Sequence, residues 1–307
     1  MAGLDPAMTQ KIRGNDMTTI AIGDIAVARI EEMSGPLFSP ERLLPDWNAE
    51  AIAPHRHWLE PDYFDAASGN LMMSFHSWLL RTPHHTILVD TCVGNDKNRP
   101  GSRFANLQTP YLERLRATGT DPDAIDIVLC THLHIDHVGW NTRLENGRWV
   151  PTFKNARYLF SRADRDYWDP ASGRPIAPMN DGVFEDSVLP VIQSGQADLI
   201  DGIHEIETGL TLHPAPGHTP GNMLMKAASK GQRGIFAGDI IHHPMQVYEP
   251  SWNASVDEDK PLAEATRRAM LEECAEHGAL LLPGHFAAPH AGFVRKEKRN
   301  FSIDFWR

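Results

Sequence analysis

Four potential metal ligands lie within six residues of one another, directly after an apolar segment. Residues 131–139 read THLHIDHVG, which places His132, His134, Asp136 and His137 together. A strand that ends in a turn directs alternate side chains to one side, and the turn carries the next ligands to a second point nearby. Imidazole and carboxylate groups are ligands that zinc accepts, so this spacing predicts a metal site.

Three further candidate ligands each follow a short strand-like segment later in the chain. They are His218 in PGHTPG, Asp239 in FAGD and His285 in LPGHF. Zinc typically takes four ligands, so the first motif needs partners from elsewhere in the chain. These three residues supply them, because each stands at the end of an apolar segment, where side chains gather at the edge of a sheet.

The ordered set of motifs resembles the metallo-β-lactamase superfamily. HxHxDH is followed by a histidine in G-H-T-P-G, an aspartate in A-G-D and a histidine in P-G-H, and the resemblance extends from the segment before Asp90 to Phe286. It implies an α/β fold: a four-layered αβ/βα sandwich of two mixed sheets with helices on the outer faces. It also implies a dinuclear metal site at the edge where the two sheets meet.

The resemblance assigns a role to each candidate ligand. One metal ion would be held by His132, His134 and His218, and the other by Asp136, His137 and His285. Asp239 would bridge the two ions, and Asp90 in TILVDTCVG would orient a ligand histidine from behind. Two metal ions about 3.5 to 4 Å apart activate a shared hydroxide at neutral pH. We predict two Zn²⁺ ions, although Mn, Fe or Co would also suit these ligands.

The spacing of the motifs resembles one branch of the superfamily. The interval between His137 and His218 is long and leaves room for an insertion. Both this interval and the segment FKNARYLFSRADRDYW within it resemble methyl parathion hydrolase and the related quorum-quenching lactonases. Many acyl homoserine lactone lactonases carry a tyrosine three residues after the bridging aspartate, where it assists the leaving group. Here that position is His242, which either takes over this assistance or leaves it without a replacement. We predict Asp136, Asp239 and His242 as catalytic residues.

Aromatic residues near the motifs are candidates for a hydrophobic substrate wall, and the alternative for each of them is packing in the core. The candidates are Trp78, Trp140, Trp168, Phe184 and Phe286.

Composition restricts the partners. The 29 basic and 40 acidic residues give a net charge of -11, which repels polyanions and disfavours nucleic acid or an anionic membrane. No apolar run approaches the roughly 18 residues that span a bilayer. The three cysteines form no CxxC pair, and the first sixteen residues lack the apolar run of a secretory signal, so we expect a cytoplasmic protein. The resemblance implies a homodimer.

Local patterns predict mixed strands and helices. Strand patterns cover residues 71–80, 86–89, 125–130, 155–160, 210–213, 223–227, 234–237 and 280–282. Helix patterns cover residues 111–117, 162–168, 183–193 and 261–277. Prolines from Pro36 to Pro61 predict an irregular arm over residues 32–62. We expect a single domain over residues 17–307 and a disordered or non-native extension over residues 1–16.

The sequence therefore predicts a dinuclear metal-dependent hydrolase. Its metal-bridging hydroxide would attack a small hydrophobic substrate that is a lactone, an aryl ester or a phosphotriester. A β-lactamase or a glutathione thioester hydrolase of the same fold is the alternative. A nuclease resembling RNase Z is disfavoured by the net charge. A non-catalytic metal-binding protein is disfavoured by the completeness of the ligand set.

Overall fold

The computed structural model describes Thr9–Gln10, residues 19–298 and residues 300–306. The predicted extension over residues 1–16 therefore lies outside the described residues, apart from Thr9–Gln10. These two residues form a short antiparallel pair with the strand that begins at Thr19. Within the described residues, every helix is too short or too polar to cross a bilayer.

The strands and α-helices are numbered in chain order. The strands are β1 (Thr9–Gln10), β2 (Thr19–Ile22), β3 (Ile25–Phe38), β4 (Phe64–Asp65), β5 (Asn70–Arg81), β6 (Thr86–Val89), β7 (Ile127–Leu129), β8 (Thr142–Glu145), β9 (Arg148–Pro151), β10 (Arg157–Ser161), β11 (Ala197–Ile200), β12 (His204–Glu207), β13 (Leu210–Pro214), β14 (Met223–Ser229), β15 (Gln232–Gly238), β16 (Leu280–Pro283), β17 (Gly292–Glu297) and β18 (Asn300–Phe305). The helices are α1 (Pro40–Leu43), α2 (Ala49–Ile52), α3 (Arg56–Leu59), α4 (Tyr111–Ala117), α5 (Arg162–Trp168), α6 (Leu189–Gln193), α7 (Met245–Tyr248) and α8 (Lys260–His277).

Two mixed sheets account for most of these strands. The first has the order β1-β2-β3-β5-β6-β7-β10-β11, with β4 paired to β5, and its strands from β6 to β11 run parallel. The second has the sequential order β12 to β18, with a parallel pair between β15 and β16 and antiparallel pairs at both ends. The strands β8 and β9 form a separate hairpin. This architecture matches the predicted α/β class with two mixed sheets.

The described chain divides into two compact units. The first comprises the described residues up to Glu32, with His76–Asp201 and Ala227–Gln232. The second comprises Met33–Phe75, Gly202–Lys226 and the described residues from Arg233 onward. The single domain expected over residues 17–307 stays a prediction.

The long helix α8 has a capping group at each end. The Asp259 carboxylate caps the first turn by accepting the backbone N–H of Leu262 at 3.0 Å. Gly278 ends the helix with φ of 60°, a left-handed conformation that glycine adopts without a steric penalty. Residues 261–277 were predicted to be helical, and the helix begins one residue earlier.

The proline-rich arm is more regular than predicted. β3 continues through Pro36 to Phe38, and three single-turn helices follow. Pro40 occupies the first turn of α1, where its missing N–H costs nothing. The Asn48 side chain caps α2 by accepting the N–H of Ala51 at 2.9 Å. The prediction of an irregular arm was wrong because prolines at helix starts initiate turns as well as interrupt strands.

The segment predicted as a helix over residues 183–193 is divided in two. A π-helical turn over Phe184–Val188 precedes α6. Pro190 has no N–H to donate to the carbonyl oxygen of Asp186, four residues earlier. That oxygen instead accepts hydrogen bonds from the Lys97 ammonium and the Thr142 hydroxyl. The wider turn therefore satisfies a carbonyl group that a regular helix would leave unpaired.

Candidate metal centre

The first unit brings the ligands of the HxHxDH motif together in a buried loop after β7. The Nε2 atom of His132 lies 3.1 Å from Nδ1 of His134. The rings of His132 and His137 have centroids 4.0 Å apart, and Nε2 of His137 lies 3.8 Å from the Asp136 carboxylate. The three imidazoles are at most 3% exposed. A solvated surface loop, the ordinary alternative for such a polar segment, does not describe this arrangement.

Asp90 fixes this loop from the end of β6. One carboxylate oxygen accepts the backbone N–H of Thr131 at 2.7 Å, and the other lies 2.9 Å from Nδ1 of His137. Asp90 has φ of 59°, a left-handed conformation that aspartate tolerates better than most residues. The structure therefore places Asp90 behind a candidate ligand, in hydrogen-bonding contact with its imidazole.

Two further residues hold the loop from the opposite side of the motif. The Asp164 carboxylate, on α5, accepts the N–H of Leu133 at 3.0 Å. The side-chain amide of Asn180 donates to the carbonyl oxygen of Leu133 at 3.1 Å. Leu133 stands between the first two histidines, so these bonds fix the backbone that carries them. The sequence analysis missed both residues, because nothing local to either segment indicates which loop it contacts.

The second unit gathers its candidate ligands around Asp239, at the end of β15. Nε2 of His242 and Nε2 of His285 each lie 3.1 Å from a carboxylate oxygen of Asp239, and Nε2 of His218 lies 3.5 Å away. The ligand atoms of His218, Asp239 and His242 all lie within 4.8 Å of one another. One buried carboxylate therefore faces three imidazoles.

In three of these imidazoles, the Nδ1 atom contacts a hydrogen-bond acceptor. Nδ1 of His218 lies 2.8 Å from the Asp257 carboxylate, and Nδ1 of His285 lies 3.2 Å from the carbonyl oxygen of Ser74. His137 makes the equivalent contact with Asp90. An acceptor at Nδ1 holds the proton there and presents Nε2 with its lone pair toward a metal. The residues present therefore fit a zinc ion in both ligand type and tautomer.

The carboxylate of Asp257 stays ionised in this setting. Burial acts to raise its pKa, but the hydrogen bond from His218 and the positive charges of neighbouring side chains outweigh burial, so the Asp257 pKa lies below its usual value. The sequence analysis did not identify Asp257 as a partner of His218. Its contact with His218 joins residues 39 positions apart, so no local sequence pattern predicts it.

His242 differs from the other imidazoles. It is 2% exposed, and its Nδ1 has no hydrogen-bond partner in the described part of the chain. Burial lowers the pKa of His242 and outweighs the opposing effect of Asp239, which favours the neutral imidazole. A neutral histidine with an unengaged nitrogen beside Asp239 can donate a hydrogen bond or bind a metal.

Two of the predicted substrate-wall residues have environments that suit contact with a small molecule. The Trp168 ring meets the His134 ring edge-on with centroids 5.2 Å apart, and its buried indole N–H has no partner in the described chain. Phe184 lines a cavity of about 460 Å³ together with Arg165, Leu189 and Leu199. Both residues lie in the first unit.

The other three predicted wall residues are packed in the interior. Trp140 donates its indole N–H to Glu32 at 2.7 Å and stacks on Tyr111. Phe286 belongs to the hydrophobic core of the second unit, and Trp78 is 4% exposed with its ring against His76. We therefore carry only Trp168 and Phe184 forward as candidate substrate contacts.

Comparison with protein families identifies the motif set. The model of the metallo-beta-lactamase superfamily matches residues 76–285, which covers both histidine sets. An N-acyl homoserine lactonase from a Bacillus species is 26% identical over 160 residues, which are 48% of this chain and 56% of that protein. The chain thus spans little more than half of that relative. Metallo-beta-lactamase domain-containing protein 1 of Xenopus laevis is 28% identical over 255 residues, covering 81% of this chain and 88% of that protein.

Solved structures share the fold. A dizinc quorum-quenching lactonase, AidC, determined in complex with a product, superposes with a TM-score of 0.77 and 21% identity. The match covers 95% of this chain and 97% of the lactonase. The predicted fold class is therefore confirmed.

Proposed function

We propose, since this chain belongs to the metallo-β-lactamase superfamily, that it is a dinuclear metal-dependent hydrolase of small hydrophobic esters. The substrate class is a lactone, an aryl ester or a phosphotriester. The observation that carries the proposal is the buried Asp239 carboxylate, which faces three imidazole nitrogens at 3.1 to 3.5 Å. Such a carboxylate among histidines suits a bridge between two divalent ions.

The proposed ligands are those that the family resemblance assigns. His132, His134 and His218 would hold one ion, Asp136, His137 and His285 the other, and Asp239 would bridge them. Zn²⁺ is the proposed metal, because the set contains imidazoles and carboxylates without thiolates, and Mn, Fe or Co remain alternatives. When bound, such a pair supplies a nucleophile at neutral pH and polarises the substrate oxygen.

The protein groups around the proposed site would orient the substrate. The indole N–H of Trp168, beside His134, can donate to a polar atom of the substrate. Phe184 lines a cavity whose walls include none of the proposed metal ligands. His242 stands three residues after Asp239, and we propose that its neutral imidazole donates a hydrogen bond to the leaving oxygen. The net charge of -11 favours substrates without negative charge.

A substrate panel tests the proposal. Purified protein loaded with two equivalents of Zn²⁺ should hydrolyse at least one of three probes: N-hexanoyl homoserine lactone, 4-nitrophenyl acetate or paraoxon. Asp239→Asn should reduce the rate at least about a hundredfold, because it removes the bridging charge. Asp46→Asn, at an exposed aspartate, is the matched control and should leave the rate unchanged. Fully loaded protein that is inactive on all three probes would contradict the proposal.

Three further probes separate the alternatives. Turnover of nitrocefin would indicate a β-lactamase, and turnover of lactoylglutathione a thioester hydrolase. Binding of tRNA at low salt would indicate a nuclease, which the net charge disfavours. Metal uptake without any turnover would leave a metal-binding protein.

The homodimer and the cytoplasmic location stay predictions. Sedimentation velocity on the full chain tests the first, since a dimer gives twice the mass of the chain at micromolar concentration. The described cysteines Cys92, Cys130 and Cys274 are free and buried.

A further inference from the structure

A buried ion pair lies directly behind His218 in the second unit. One oxygen of Asp257 lies 2.8 Å from Nδ1 of His218, and the other accepts the Ala254 N–H at 2.8 Å and an Nη2–H of Arg267 at 3.2 Å. The side chains of Asp257 and Arg267 are both 0% exposed. These contacts of the carboxylate therefore serve one imidazole and the groups that hold the carboxylate in place.

Arg267 connects this carboxylate to the strand end that carries Asp239. Its Nε–H donates to the carbonyl oxygen of Ile240 at 2.8 Å, and Nη1 donates to the carbonyl oxygen of Pro250 at 2.7 Å. Ile240 directly follows Asp239 in the chain. Because the guanidinium group is planar and rigid, its donors fix the distance between Asp257 and the backbone beside Asp239.

The helix that carries Arg267 is itself fixed to the His218 turn. The N–H groups of Glu258 and Asp259 donate to the carbonyl oxygens of His218 and Gly217 at 3.1 and 2.9 Å. A Cβ atom at Gly217 would lie 2.4 Å from the backbone nitrogen of Ala263, so the turn and the first turn of α8 are in direct contact. The helix start, the histidine turn and the Arg267 side chain thus form one rigid assembly.

Stability alone does not account for this pair. Removing two charges from water costs several kcal/mol per ion, and well-packed apolar side chains of similar volume often give equal or greater stability. The pair does make a specific connection, since it joins one candidate ligand, His218, to the backbone beside another, Asp239.

We propose that Asp257 and Arg267 are positioning residues that set the separation and orientation of His218 and Asp239, and thereby the affinity of one metal ion of the pair. This inference rests on the proposed function, because it requires His218 and Asp239 to be metal ligands. The ion held by His218 depends on the Asp257–Arg267 pair through both His218 and Asp239, whereas the ion assigned to Asp136, His137 and His285 depends on it through the bridging Asp239 alone.

Stepwise zinc affinity measures this effect directly. The full chain, stripped of metal, is titrated with Zn²⁺ against a chromophoric chelator, and the wild type is compared with Asp257→Asn and Arg267→Lys. Each variant should weaken one of the two binding steps by about 10- to 100-fold, the usual cost of losing a partner behind a ligand, and the other step by less than about threefold. Arg268→Met is the matched control, because it removes a partly exposed ion pair with Glu264 on the same helix; it should change neither step.

The outcomes are distinguishable. Variants that bind both zinc ions with wild-type affinity would overturn the inference, as would variants that stay unfolded at saturating zinc, since the pair would then be structural only. A variant that reaches the folded, zinc-loaded state once the zinc concentration is raised by the expected 10- to 100-fold would support the inference. A wild type that takes up fewer than two zinc ions would instead refute the proposed dinuclear function.

Discussion

Single residues decide which nitrogen each histidine presents. His137, His218 and His285 each have an acceptor at Nδ1: a carboxylate, a second carboxylate and a backbone carbonyl. These acceptors set the tautomer before any metal arrives, so little reorganisation accompanies binding. His242 has no such acceptor in the described chain, which distinguishes it from these three histidines.

Asp90→Asn should weaken zinc binding. The substitution removes the charge that stabilises the Nδ1 proton of His137, and it places an amide where Thr131 and His137 both require an acceptor. We expect a loss of zinc affinity of about 10- to 100-fold, measured by chelator competition on the metal-free chain. Asp46→Asn, at an exposed site, should have no effect. An unchanged affinity in Asp90→Asn would show that Asp90 only closes the turn after β6.

Substitutions at His242 test the proposed hydrogen bond to the leaving group. His242→Phe removes the donor and should lower kcat/KM on the best substrate by about a hundredfold, a typical cost of losing one donor in an active site. His242→Tyr restores a donor and should recover at least about a tenth of the wild-type activity. Zinc content is measured in each variant to exclude metal loss. Equal activity in the phenylalanine variant and the wild type would remove His242 from the mechanism.

Elements meet at very short distances where the metal-binding loop passes the loop after β6. The N–H of Gly139 donates to the carbonyl oxygen of Cys92 at 2.7 Å, and the Thr91 N–H donates to that of His137 at 2.8 Å. Glu32, at a buried position in β3, accepts the Val93 N–H at 2.6 Å and the indole N–H of Trp140 at 2.7 Å. One carboxylate therefore ties both loops to the sheet.

Gly139→Ala should disrupt this contact. A Cβ atom there would lie 1.8 Å from the carbonyl oxygen of Val93, so the two loops must separate. We expect a loss of at least about 3 kcal/mol in the free energy of unfolding, measured by urea denaturation, since backbone atoms yield less than side chains. Gly147→Ala has open space around the added methyl group and costs only the strain of its φ of 76°, about 1 kcal/mol. Equal losses in both variants would contradict the packing argument.

The stability of the whole molecule depends on pH through buried titratable groups. The pKa of His243 is lowered by burial to about 4, although the carbonyl oxygen of Tyr63 accepts a hydrogen bond from its Nε2. Met245 donates its N–H to Nδ1, so both nitrogens of the neutral ring are used. A second proton has no acceptor there, and the folded state excludes it.

Acid should therefore destabilise the protein through His243. Between pH 6.5 and pH 4 the unfolded chain binds a proton at this residue and the folded chain does not, so stability falls as pH falls and levels off below pH 4. We expect a contribution of about 2 kcal/mol at pH 5. His243→Gln keeps a donor for Tyr63 and should flatten this part of the pH profile of unfolding, whereas His84→Gln, at an exposed site, should not. Parallel profiles for His243→Gln and wild type would contradict the assignment.

The sequence by itself determined the kinds and order of the candidate ligands and the class of fold. Apolar patterns specified strands such as β5 and β6, and Pro261 in the first turn with Gly278 as the stop specified α8, because these signals act between residues close in the chain. The HxHxDH spacing identified the ligand loop for the same reason.

Only the tertiary structure decided what holds those ligands. Asp257 and Arg267 behind His218, and Asp164 and Asn180 beside Leu133, join residues 10 to 47 positions apart. Side-chain contacts also separated Trp140, which donates its indole N–H to Glu32, and Phe286, which packs in the core of its unit, from Trp168, which meets the candidate ligand His134 with its indole N–H unengaged in the described chain. Residue type and local spacing do not reveal the direction in which a side chain points in the folded protein. The contacts that orient a ligand arise only when distant segments pack together, and no local pattern encodes which segments those are.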